Sequence, residues 1–332
     1  MGEAIDVVGI GNALVDVLSH ETDEFLRRHG LVKGTMRLVD EARAGALHAA
    51  MGPAVAVSGG SAANTVVGVA SFGGRAHYVG KVRDDALGRL FAEDLRATGV
   101  GYDTPPADRG PGTGRCLIMV TPDAQRTMNT FLGASARLGP EDVDPALVAR
   151  GRILYLEGYL FDREPAQEAF RLAAGLAREA GRLVALTLSD PFCVDRHRAA
   201  FQVLVDRYVD VLFANEAEAC ALYEVDDFDA ALQQARRHAR IAALTRSARG
   251  SVVVAGDAVH VIDAQPPEAL VDTTGAGDLY AAGFLFGLSR GGDLATCGRL
   301  GALAAAEVIS HVGARPLTPL GKLAATPPGW EA

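Results

Sequence analysis

Short apolar runs alternate along this chain with stretches of helical periodicity, and this alternation constrains the possible folds more than any other feature. The first run, residues 5–10, is rich in β-branched side chains and ends among Gly9 and Gly11. Similar runs cover residues 54–57, 76–79, 153–156, 183–188, 211–213 and 241–245. Continuous apolar runs of this length are typical of strands that are covered on both faces.

Helical patterns lie between these runs. Residues 165–180 place five apolar side chains on one helical face: Ala166, Ala169, Phe170, Ala173 and Ala177. Other stretches that favour a helix are residues 61–71, 216–223, 230–239, 279–288 and 302–309. The alternation of strand and helix predicts an α/β fold, in which a mostly parallel sheet carries helices on both faces.

Two segments interrupt the alternation and predict a second, smaller sheet. Residues 14–39 contain short strand-like pieces, and residues 115–121 and 126–132 flank the turn-like sequence Pro122-Asp123-Ala124-Gln125. The second pattern is typical of a β-hairpin. A small sheet that projects from an α/β core often acts as a lid.

The lid and the core are expected to belong to one domain that spans residues 1–332. The lid would comprise roughly residues 13–39 and 111–133. Three apolar lid residues are expected to be exposed: Leu117, Met119 and Phe131. Their exposure would permit a homodimer without requiring one, so a monomer and a homodimer both fit the sequence.

The composition limits the classes of partner. The chain carries 41 Asp and Glu against 32 Lys and Arg, a formal net charge of −9. Nucleic acids and anionic membranes favour basic surfaces, so neither is expected as a main partner. The four cysteines form no C-x-x-C pair, and no signal-like segment opens the chain. Because no apolar run reaches the ~18 residues that a membrane helix needs, a reduced, cytoplasmic setting is expected.

The strongest candidate for a functional site is Asp272-Thr273-Thr274-Gly275-Ala276-Gly277-Asp278, which leads directly into a predicted helix. The first N–H groups of a helix lack internal partners and lie at the positive end of its dipole. Small residues leave them accessible to an anion such as phosphate. Asp278 would repel a phosphate unless it had another role, such as taking a proton from an attacking hydroxyl. The segment predicts either a phosphoryl-transfer centre with its own base or a turn with a capping Asp.

A glycine-containing segment follows the first predicted strand. Gly9-Ile10-Gly11-Asn12-Ala13-Leu14 begins like a dinucleotide fingerprint, but Leu14 replaces the third glycine and the next residues are strand-like. This disfavours a dinucleotide-binding oxidoreductase. Asn12 and Asp16 flank the end of that strand, where open α/β sheets bind ligands. A capping role in a loop is the alternative.

A second small-residue turn leads into a helix at Ser58-Gly59-Gly60-Ser61-Ala62-Ala63-Asn64. Adjacent glycines allow a ligand to approach the backbone closely. Asn64 lies one turn into the helix, so its side chain can point back to the same place. A tight turn with a purely structural role is the alternative.

Two further sites have both a structural and a functional interpretation. Asn215 and Glu218 lie three residues apart at the start of a predicted helix. They can form a capping box, or they can hold a magnesium ion through its waters. Arg126 lies beside the hairpin turn, where a lid could bring it to a transferring phosphoryl group. Alternatively, its side chain is simply solvated.

Signatures of other phosphate-binding classes are missing from the sequence. There is no Gly-x-x-x-x-Gly-Lys-[Ser/Thr] motif, because Gly321-Lys322 lacks both the upstream glycine and the following hydroxyl. No His-Arg-Asp catalytic loop is present either. These absences exclude a P-loop protein and a protein kinase.

Two of the motifs resemble the signatures of the PfkB (ribokinase-like) carbohydrate and nucleoside kinases. Residues 59–64 resemble the first signature and residues 272–283 the second, more specific one. The likeness covers about residues 7–313. Within the family the chain is most similar to the adenosine kinases, a resemblance that rests on residues 11–16, 188–192 and 208–219.

The resemblance implies a ribokinase-like three-layer α/β/α sandwich with a mostly parallel central sheet and a small β lid. It also implies ATP- and Mg²⁺-dependent transfer of a γ-phosphoryl group to a primary hydroxyl. The expected acceptor is the 5′-hydroxyl of adenosine. Inosine, guanosine and a plain sugar such as ribose or fructose are the alternatives. An inactive binding regulator on the same fold is disfavoured because Asp278, Asn215 and Glu218 are all present.

The resemblance gives each motif a role. Asp278 would be the base and Arg126 the lid group that meets the phosphates. The N–H groups of the anion hole would be those of Gly275, Ala276 and Gly277. Substrate would be bound by Asn12, Asp16, Gly59, Gly60, Ser61, Asn64 and Tyr159. The nucleotide and its magnesium ion would lie near Asn215, Glu218, Thr245, Ser247 and Gly250. A monovalent cation, K⁺, would be bound by Asp272 and Thr274.

Overall fold

The computed structural model describes residues 4–123 and 125–324. The strands are β1 Ile5–Ile10, β2 Leu14–His20, β3 Met36–Leu38, β4 Ala54–Gly59, β5 Ala76–Val79, β6 Gly101–Tyr102, β7 Gly114–Val120, β8 Arg126–Phe131, β9 Gly151–Glu157, β10 Leu183–Thr187, β11 Val211–Asn215, β12 Ile241–Thr245, β13 Ser251–Ala255 and β14 Ala258–Ile262. The helices are α1 Asp23–Arg28, α2 Glu41–Ala50, α3 Ser61–Ser71, α4 Ala86–Ala97, α5 Pro145–Arg150, α6 Glu164–Glu179, α7 Pro191–Arg207, α8 Glu216–Tyr223, α9 Phe228–His238, α10 Ala276–Ser289, α11 Leu294–Val308 and α12 Leu320–Leu323.

A large sheet forms the middle layer. Within the described residues it has nine strands in the order β14-β13-β12-β11-β10-β9-β1-β5-β6. Neighbours from β12 to β6 are parallel, whereas β13 and β14 add an antiparallel edge. Successive side chains of a strand point to opposite faces, so Val7 packs with α3 and α10 while Val8 packs with α5 and α6. The predicted three-layer α/β/α sandwich is confirmed.

The carboxyl ends of the parallel strands bring the predicted motifs to one edge of this sheet. Asn12 follows β1, Glu157 ends β9, Ser189 follows β10, Asn215 ends β11 and Thr245 ends β12. These strands are neighbours in the sheet. Segments far apart in sequence therefore meet at the edge where open α/β sheets bind ligands.

A second sheet, in the order β3-β8-β7-β2-β4, covers that edge. The predicted hairpin is confirmed, because β7 and β8 pair antiparallel. Ala124, part of the predicted turn, lies outside the described residues. The interpretation of residues 54–57 as a strand buried on both faces is wrong. They belong to β4, an edge strand paired with β2, and Val55 is 64% exposed.

The prediction that Leu117, Met119 and Phe131 are exposed on the small sheet is wrong. Leu117 and Met119 are fully buried and pack with Val15 and Val17 in the main core, and Phe131 is half-buried. A strand alternates its faces with a period of two, so an assignment shifted by one residue exposes the wrong set. The open face instead carries exposed Met36, Leu38, Val55 and Val57.

Several elements were not expected from the sequence. They are β6, β13, β14, α1, α2, α4, α5, α7 and α12. Local capping signals mark some of these helices, because Asp40, Asp85 and Asp190 each accept a bond from the first turn of the helix that follows. Among the helices in residues 4–123 and 125–324, none is long and apolar enough to span a bilayer.

Glycines allow α3, α10 and α11 to pack at close range. A Cβ atom added at Gly68 of α3 would lie 2.5 Å from the Cβ atom of Ala282 on α10. One added at Gly283 would lie 2.3 Å from the carbonyl oxygen of Leu300 on α11. This packing fixes the N-terminal end of α10 beside that of α3.

Replacing Gly283 with alanine should destabilise the fold, because the new methyl group meets backbone rather than a movable side chain. Overpacking of this kind costs about 1–3 kcal/mol. Gly175→Ala is the matched control, because a Cβ atom there meets no described atom within 4 Å inside helix α6. The control should gain up to ~1 kcal/mol from helix propensity. Urea unfolding measures both, and equal effects would contradict the packing.

Candidate active site

Asp278 lies in the first turn of α10, next to the start of α3. Its Oδ1 atom accepts a hydrogen bond from Ser61 Oγ at 2.6 Å, and its Oδ2 atom accepts one from Asn64 Nδ2 at 3.0 Å. Burial raises the pKa of Asp278, while these two donors oppose the rise. The carboxylate therefore bonds to the neighbouring helix and does not cap its own.

The backbone that leads into α10 is open. Gly275 precedes the helix in the left-handed region at φ 79°, and a Cβ atom there would lie 2.7 Å from Cα of Ala314. At Gly277, a Cβ atom would meet no described atom within 4 Å. The N–H group of Ala276 makes a long bond, 3.3 Å, to Thr273 O. The accessible N–H groups at this positive helix end form a site suited to an anion.

The glycine pair before α3 makes room for the protein's own groups. Gly60 has φ 101°, and a Cβ atom there would lie 2.1 Å from the carbonyl oxygen of Asn12. A Cβ atom at Gly59 would lie 2.3 Å from Asp16 Oδ2. Both glycines are therefore needed to bring Asn12 and Asp16 against the start of α3, where Ser61 also lies.

Glu157, at the end of β9, is a central residue that the sequence did not reveal. Its Oε1 atom accepts bonds from the backbone N and Nδ2 of Asn12 at 3.2 and 2.9 Å, and its Oε2 atom accepts one from Ala62 N at 2.8 Å. Ser135 Oγ donates to Asn12 Oδ1 at 2.9 Å. Burial raises the pKa of Glu157 to about 7. Glu157 thus fixes Asn12 and the first turn of α3 together.

Asp16 projects from β2 on the open face of the small sheet. Burial raises its pKa to about 6, and the charges of Arg315 and Arg126 oppose that rise. Asp278 contributes to the rise through like-charge repulsion. The two carboxyl groups therefore share one basin between the small sheet and the sheet edge.

Arg126 is neither solvated nor free. Its guanidinium forms a salt bridge with Asp272 and donates to Thr274 Oγ1 at 3.0 Å. The same Asp272 carboxylate accepts bonds from the backbone N and Oγ1 of Thr274 at 3.0 and 2.8 Å and from Gly313 N at 2.9 Å. In this arrangement a guanidinium occupies the oxygens that were expected to bind K⁺.

Asn215 and Glu218 form the capping box. Glu218 N donates to Asn215 Oδ1 at 2.9 Å, and the Glu218 carboxylate accepts from the Asn215 N and Nδ2 atoms at 2.9 and 2.6 Å. Burial raises the pKa of Glu218 to about 7. Across the described ranges no group of three or more His, Cys, Asp or Glu could hold a metal directly. A magnesium ion here would be held through its waters, as Mg²⁺ prefers.

A cleft of about 590 Å³ lies beside this capping box. Thr245 and Ser247 line it, together with Asn215, whereas Gly250 closes the adjoining turn. Gly250 has φ 76°, and a Cβ atom there would lie 2.0 Å from the carbonyl oxygen of Ile262. The three positions expected near a nucleotide therefore form one loop at the mouth of this cleft.

Tyr159 lies between the part of the site around Asp278 and the part around Glu218 and Asp190. Its backbone N–H donates to Ser189 Oγ at 3.3 Å, which ties the turn after β9 to the turn after β10. Burial raises the pKa of its half-buried side chain, with Asp190, Glu218 and then Asp278 adding to the rise. Its ring is thus near the carboxylates of both parts.

The sequence missed Glu157, Arg315 and Asp94. Glu157 had a usable signal, because a carboxylate at the end of an apolar run marks the ligand-binding edge of a parallel sheet. Arg315 and Asp94 had none, because only folding brings the loop after α11 and the helix α4 to the site.

An accessible helix N-terminus beside a carboxylate of raised pKa can stabilise a transferring phosphoryl group and deprotonate an attacking hydroxyl. These are the groups that a phosphotransferase requires. A family model described as pfkB family carbohydrate kinase matches residues 32–320. The chain belongs to this family, and it is a phosphotransferase with an alcohol group as acceptor. Family membership implies ATP and Mg²⁺.

Individual relatives include both nucleoside and sugar kinases. An adenosine kinase structure from Sinorhizobium meliloti has a TM-score of 0.90 and 51% identity over 97% of this chain and 99% of that chain. A structure of a probable sugar kinase from Rhizobium etli has a TM-score of 0.91 and 47% identity over 97% and 98%. Adenosine kinase from Saccharomyces cerevisiae is 29% identical over 92% of this chain and 95% of its own length.

Removing the Ser61 hydroxyl should move the acid limb of the kcat/KM profile to higher pH. Ser61 donates to the ionised form of Asp278 and so lowers its pKa. Loss of one such bond should shift the limb upward by about one pH unit. Ser71→Ala, at the far end of the same helix, is the matched control and should leave the limb in place. Asp278→Asn should lose turnover by orders of magnitude at every pH. An unshifted limb in Ser61→Ala would contradict this role.

Proposed function

We propose that this chain is an adenosine kinase, which transfers the γ-phosphoryl group of ATP to the 5′-hydroxyl of adenosine. In this proposal Asp278 is the base. The N–H groups of Gly275, Ala276 and Gly277 form the anion hole. The arrangement of a carboxylate and an open helix N-terminus in a single turn of α10 supports both roles.

The chemistry of the carboxylate suits this role. Each oxygen of Asp278 accepts one bond from α3, and a carboxylate oxygen can accept a second. A substrate hydroxyl can therefore bond to Asp278 without displacing Ser61 or Asn64. The raised pKa strengthens Asp278 as a proton acceptor, while the two donors keep it from rising further.

The sugar would lie in the basin between the small sheet and α3. Its vicinal hydroxyls need both donors and acceptors. The Asp16 carboxylate can accept, and Asn64 Nδ2, which donates one hydrogen to Asp278, has a second hydrogen to donate. The other proposed contacts are Asn12, Gly59, Gly60 and Ser61. Asn12 is already engaged by Glu157 and Ser135 and is 2% exposed, so its contribution would be to shape the pocket.

One observation carries the choice of a nucleoside over a free sugar: the face of the small sheet that presents Asp16 is largely apolar, although it also carries Arg126 and Thr130. Directly opposed residues of neighbouring strands share a face. Asp16 stands opposite Val57, and Leu18 stands opposite Val55 and Ile118. A free sugar carries hydroxyls around its ring and offers only a small apolar patch, whereas the face of a purine ring offers a larger apolar area to such a surface. Tyr159 would bound the base on the other side.

In this proposal ATP binds in the cleft beside the capping box of Asn215 and Glu218. Asn215 and Glu218 would hold the magnesium ion through its waters, and the ion would neutralise charge on the phosphates. The loop of Thr245, Ser247 and Gly250 would border the nucleotide. In this proposal the Arg126 guanidinium breaks its salt bridge with Asp272 and bonds to the phosphates instead. The movement is short, because Arg126 already lies between the small sheet and the turn that leads into α10.

A monovalent cation at Asp272 and Thr274 belongs to the same proposal. K⁺ can reach these oxygens only after Arg126 has moved, because the guanidinium now holds them. Turnover in potassium chloride should therefore exceed turnover in choline chloride at saturating ATP, when Arg126 is drawn to the phosphates. Equal rates in both salts at matched ionic strength would contradict the cation site.

A sugar kinase is the second candidate, favoured by the 47% identity to the probable sugar kinase. Other purine nucleosides are the third. The 51% identity to an adenosine kinase over nearly the whole chain supports the first. A cytoplasmic location, a single domain with the small sheet as its lid, and a monomeric or homodimeric state remain predictions that a cell fractionation, a solution structure and a sedimentation experiment can check.

The acceptor is tested by ADP release from Mg-ATP with adenosine, inosine, guanosine, cytidine, ribose and fructose. We expect adenosine to lead by more than tenfold in kcat/KM, about 1.4 kcal/mol of discrimination in the transition state. The Asp278→Asn protein, prepared identically, controls for contaminating kinases. A free sugar that leads the panel would contradict the nucleoside proposal, and inosine or guanosine in the lead would correct the base.

A further inference from the structure

Arg315 links the candidate base to the small sheet through a chain of polar contacts. Its Nε atom donates to Asn64 Oδ1 at 3.4 Å, and its Nη1 atom donates to Asp94 Oδ2 at 3.2 Å. The same oxygen of Asp94 accepts a bond from Ser58 N at 2.8 Å, on strand β4. Asn64 in turn donates to Asp278. The chain of contacts therefore runs from the base through Asn64, Arg315 and Asp94 to the small sheet.

The loop that carries Arg315 packs directly against the anion-binding turn. Gly313 N donates to Asp272 at 2.9 Å, and Ala314 fills the space where Gly275 has no side chain. Arg315 follows immediately and reaches the start of α3. One short loop after α11 thus contacts the anion-binding turn and the side chain that bonds to the base.

The Arg315 guanidinium is largely buried, yet not all of its N–H donors have hydrogen-bond acceptors within the part of the chain that the structure describes. Its side chain is 17% exposed, and its Nη2 atom is buried without a hydrogen-bond partner among the described residues. Burial lowers the pKa of Arg315, opposed by the charges of Asp94 and Asp16. A buried donor without a partner is costly, so stability alone does not account for an arginine at this position.

The side-chain amide of Asn64 has two ends of nearly equal shape, and its neighbours decide which end faces Asp278. An Nδ2 atom facing the carboxylate is attractive, whereas an Oδ1 atom there would be repulsive. A cationic donor at the far end favours the first orientation. We propose that Arg315 is a positioning residue, which holds the Asn64 amide so that its Nδ2 atom faces Asp278. This inference rests on the proposed role of Asp278 as the base.

The effect of Arg315 on Asp278 should pass through Asn64. Burial, Ser61 and Asn64 set the pKa of Asp278, whereas Arg315 acts on Asp16. Other titratable groups interact with Asp278 from each neighbouring element: Asp16 on β2, Tyr155 and Glu157 on β9, Tyr159 in the following turn and Glu218 on α8. All of these contributions except that of Asp16 are unchanged in an Arg315 variant while the loop keeps its place. Loss of the Arg315 charge also raises the pKa of Asp16 directly.

The test is the pH dependence of kcat/KM for Arg315→Met. Methionine fills similar space without a charge or a donor. We expect the acid limb to move upward by about 0.5–1 pH unit, as for the loss of a hydrogen bond to an ionised carboxylate. A lower rate at every pH with an unmoved limb would mean that Arg315 is merely structural and would overturn the proposal. Thermal unfolding of each variant shows that the folded protein is being assayed.

Two double variants decide whether Asn64 transmits the effect. In an Asn64→Ala background, Arg315→Met should shift the limb less than in the wild type, because only its direct effect on Asp16 remains. In a Ser61→Ala background it should add its full shift, because Ser61 bonds to the other oxygen of Asp278. Equal shifts in both backgrounds would overturn transmission through Asn64. If instead Asp278→Asn retains turnover, the proposed base has failed, whatever the Arg315 variants show.

Discussion

The whole site depends on one half-buried carboxylate that joins the N-terminal ends of two helices. Asp278 belongs to α10, and both of its oxygens bond to side chains of α3. This contact is possible because Gly68 lets α3 and α10 approach closely and Gly283 does the same for α10 and α11. The packing places two positive helix ends and a proton acceptor at one point. Such an arrangement can position a hydroxyl and stabilise a phosphoryl group.

The basin around Asp278 collects more negative charge than a stable fold requires. Burial raises the pKa of Asp16 to about 6 and those of Glu157 and Glu218 to about 7. Carboxyls of raised pKa favour the folded state most below their ordinary values, and that contribution is lost as pH rises through 6 to 7. Near neutral pH these carboxyls are therefore a source of instability. A magnesium ion would relieve it, which links the cost in stability to the proposed chemistry.

The sequence predicted the sandwich and indicated most of the segments that meet at the candidate site, because parallel strands place their carboxyl ends at one edge and the small-residue turns mark that edge. The sequence failed to predict burial, sheet assignment and side-chain partners where these depend on contacts between distant segments. Leu117 and Met119 do share one face of β7, but that face is buried. Periodicity alone does not show which face of a strand is covered, since that depends on where α2 packs. Residues 54–57 were assigned to the wrong sheet for the same reason. Arg126 was expected in solvent or on phosphate, whereas its partner Asp272 lies 146 positions away in the chain. Glu157 and Arg315 acquire their partners only when strands and loops distant in sequence meet.

The most direct test is the structure of the protein with adenosine, Mg²⁺ and an ATP analogue that cannot transfer its terminal group. The account predicts the adenosine 5′-oxygen within about 3 Å of an Asp278 carboxylate oxygen. It also predicts the terminal phosphate analogue on the N–H groups of Gly275, Ala276 and Gly277. A 5′-oxygen bonded elsewhere, with Asp278 still held only by Ser61 and Asn64, would contradict the assignment of the base.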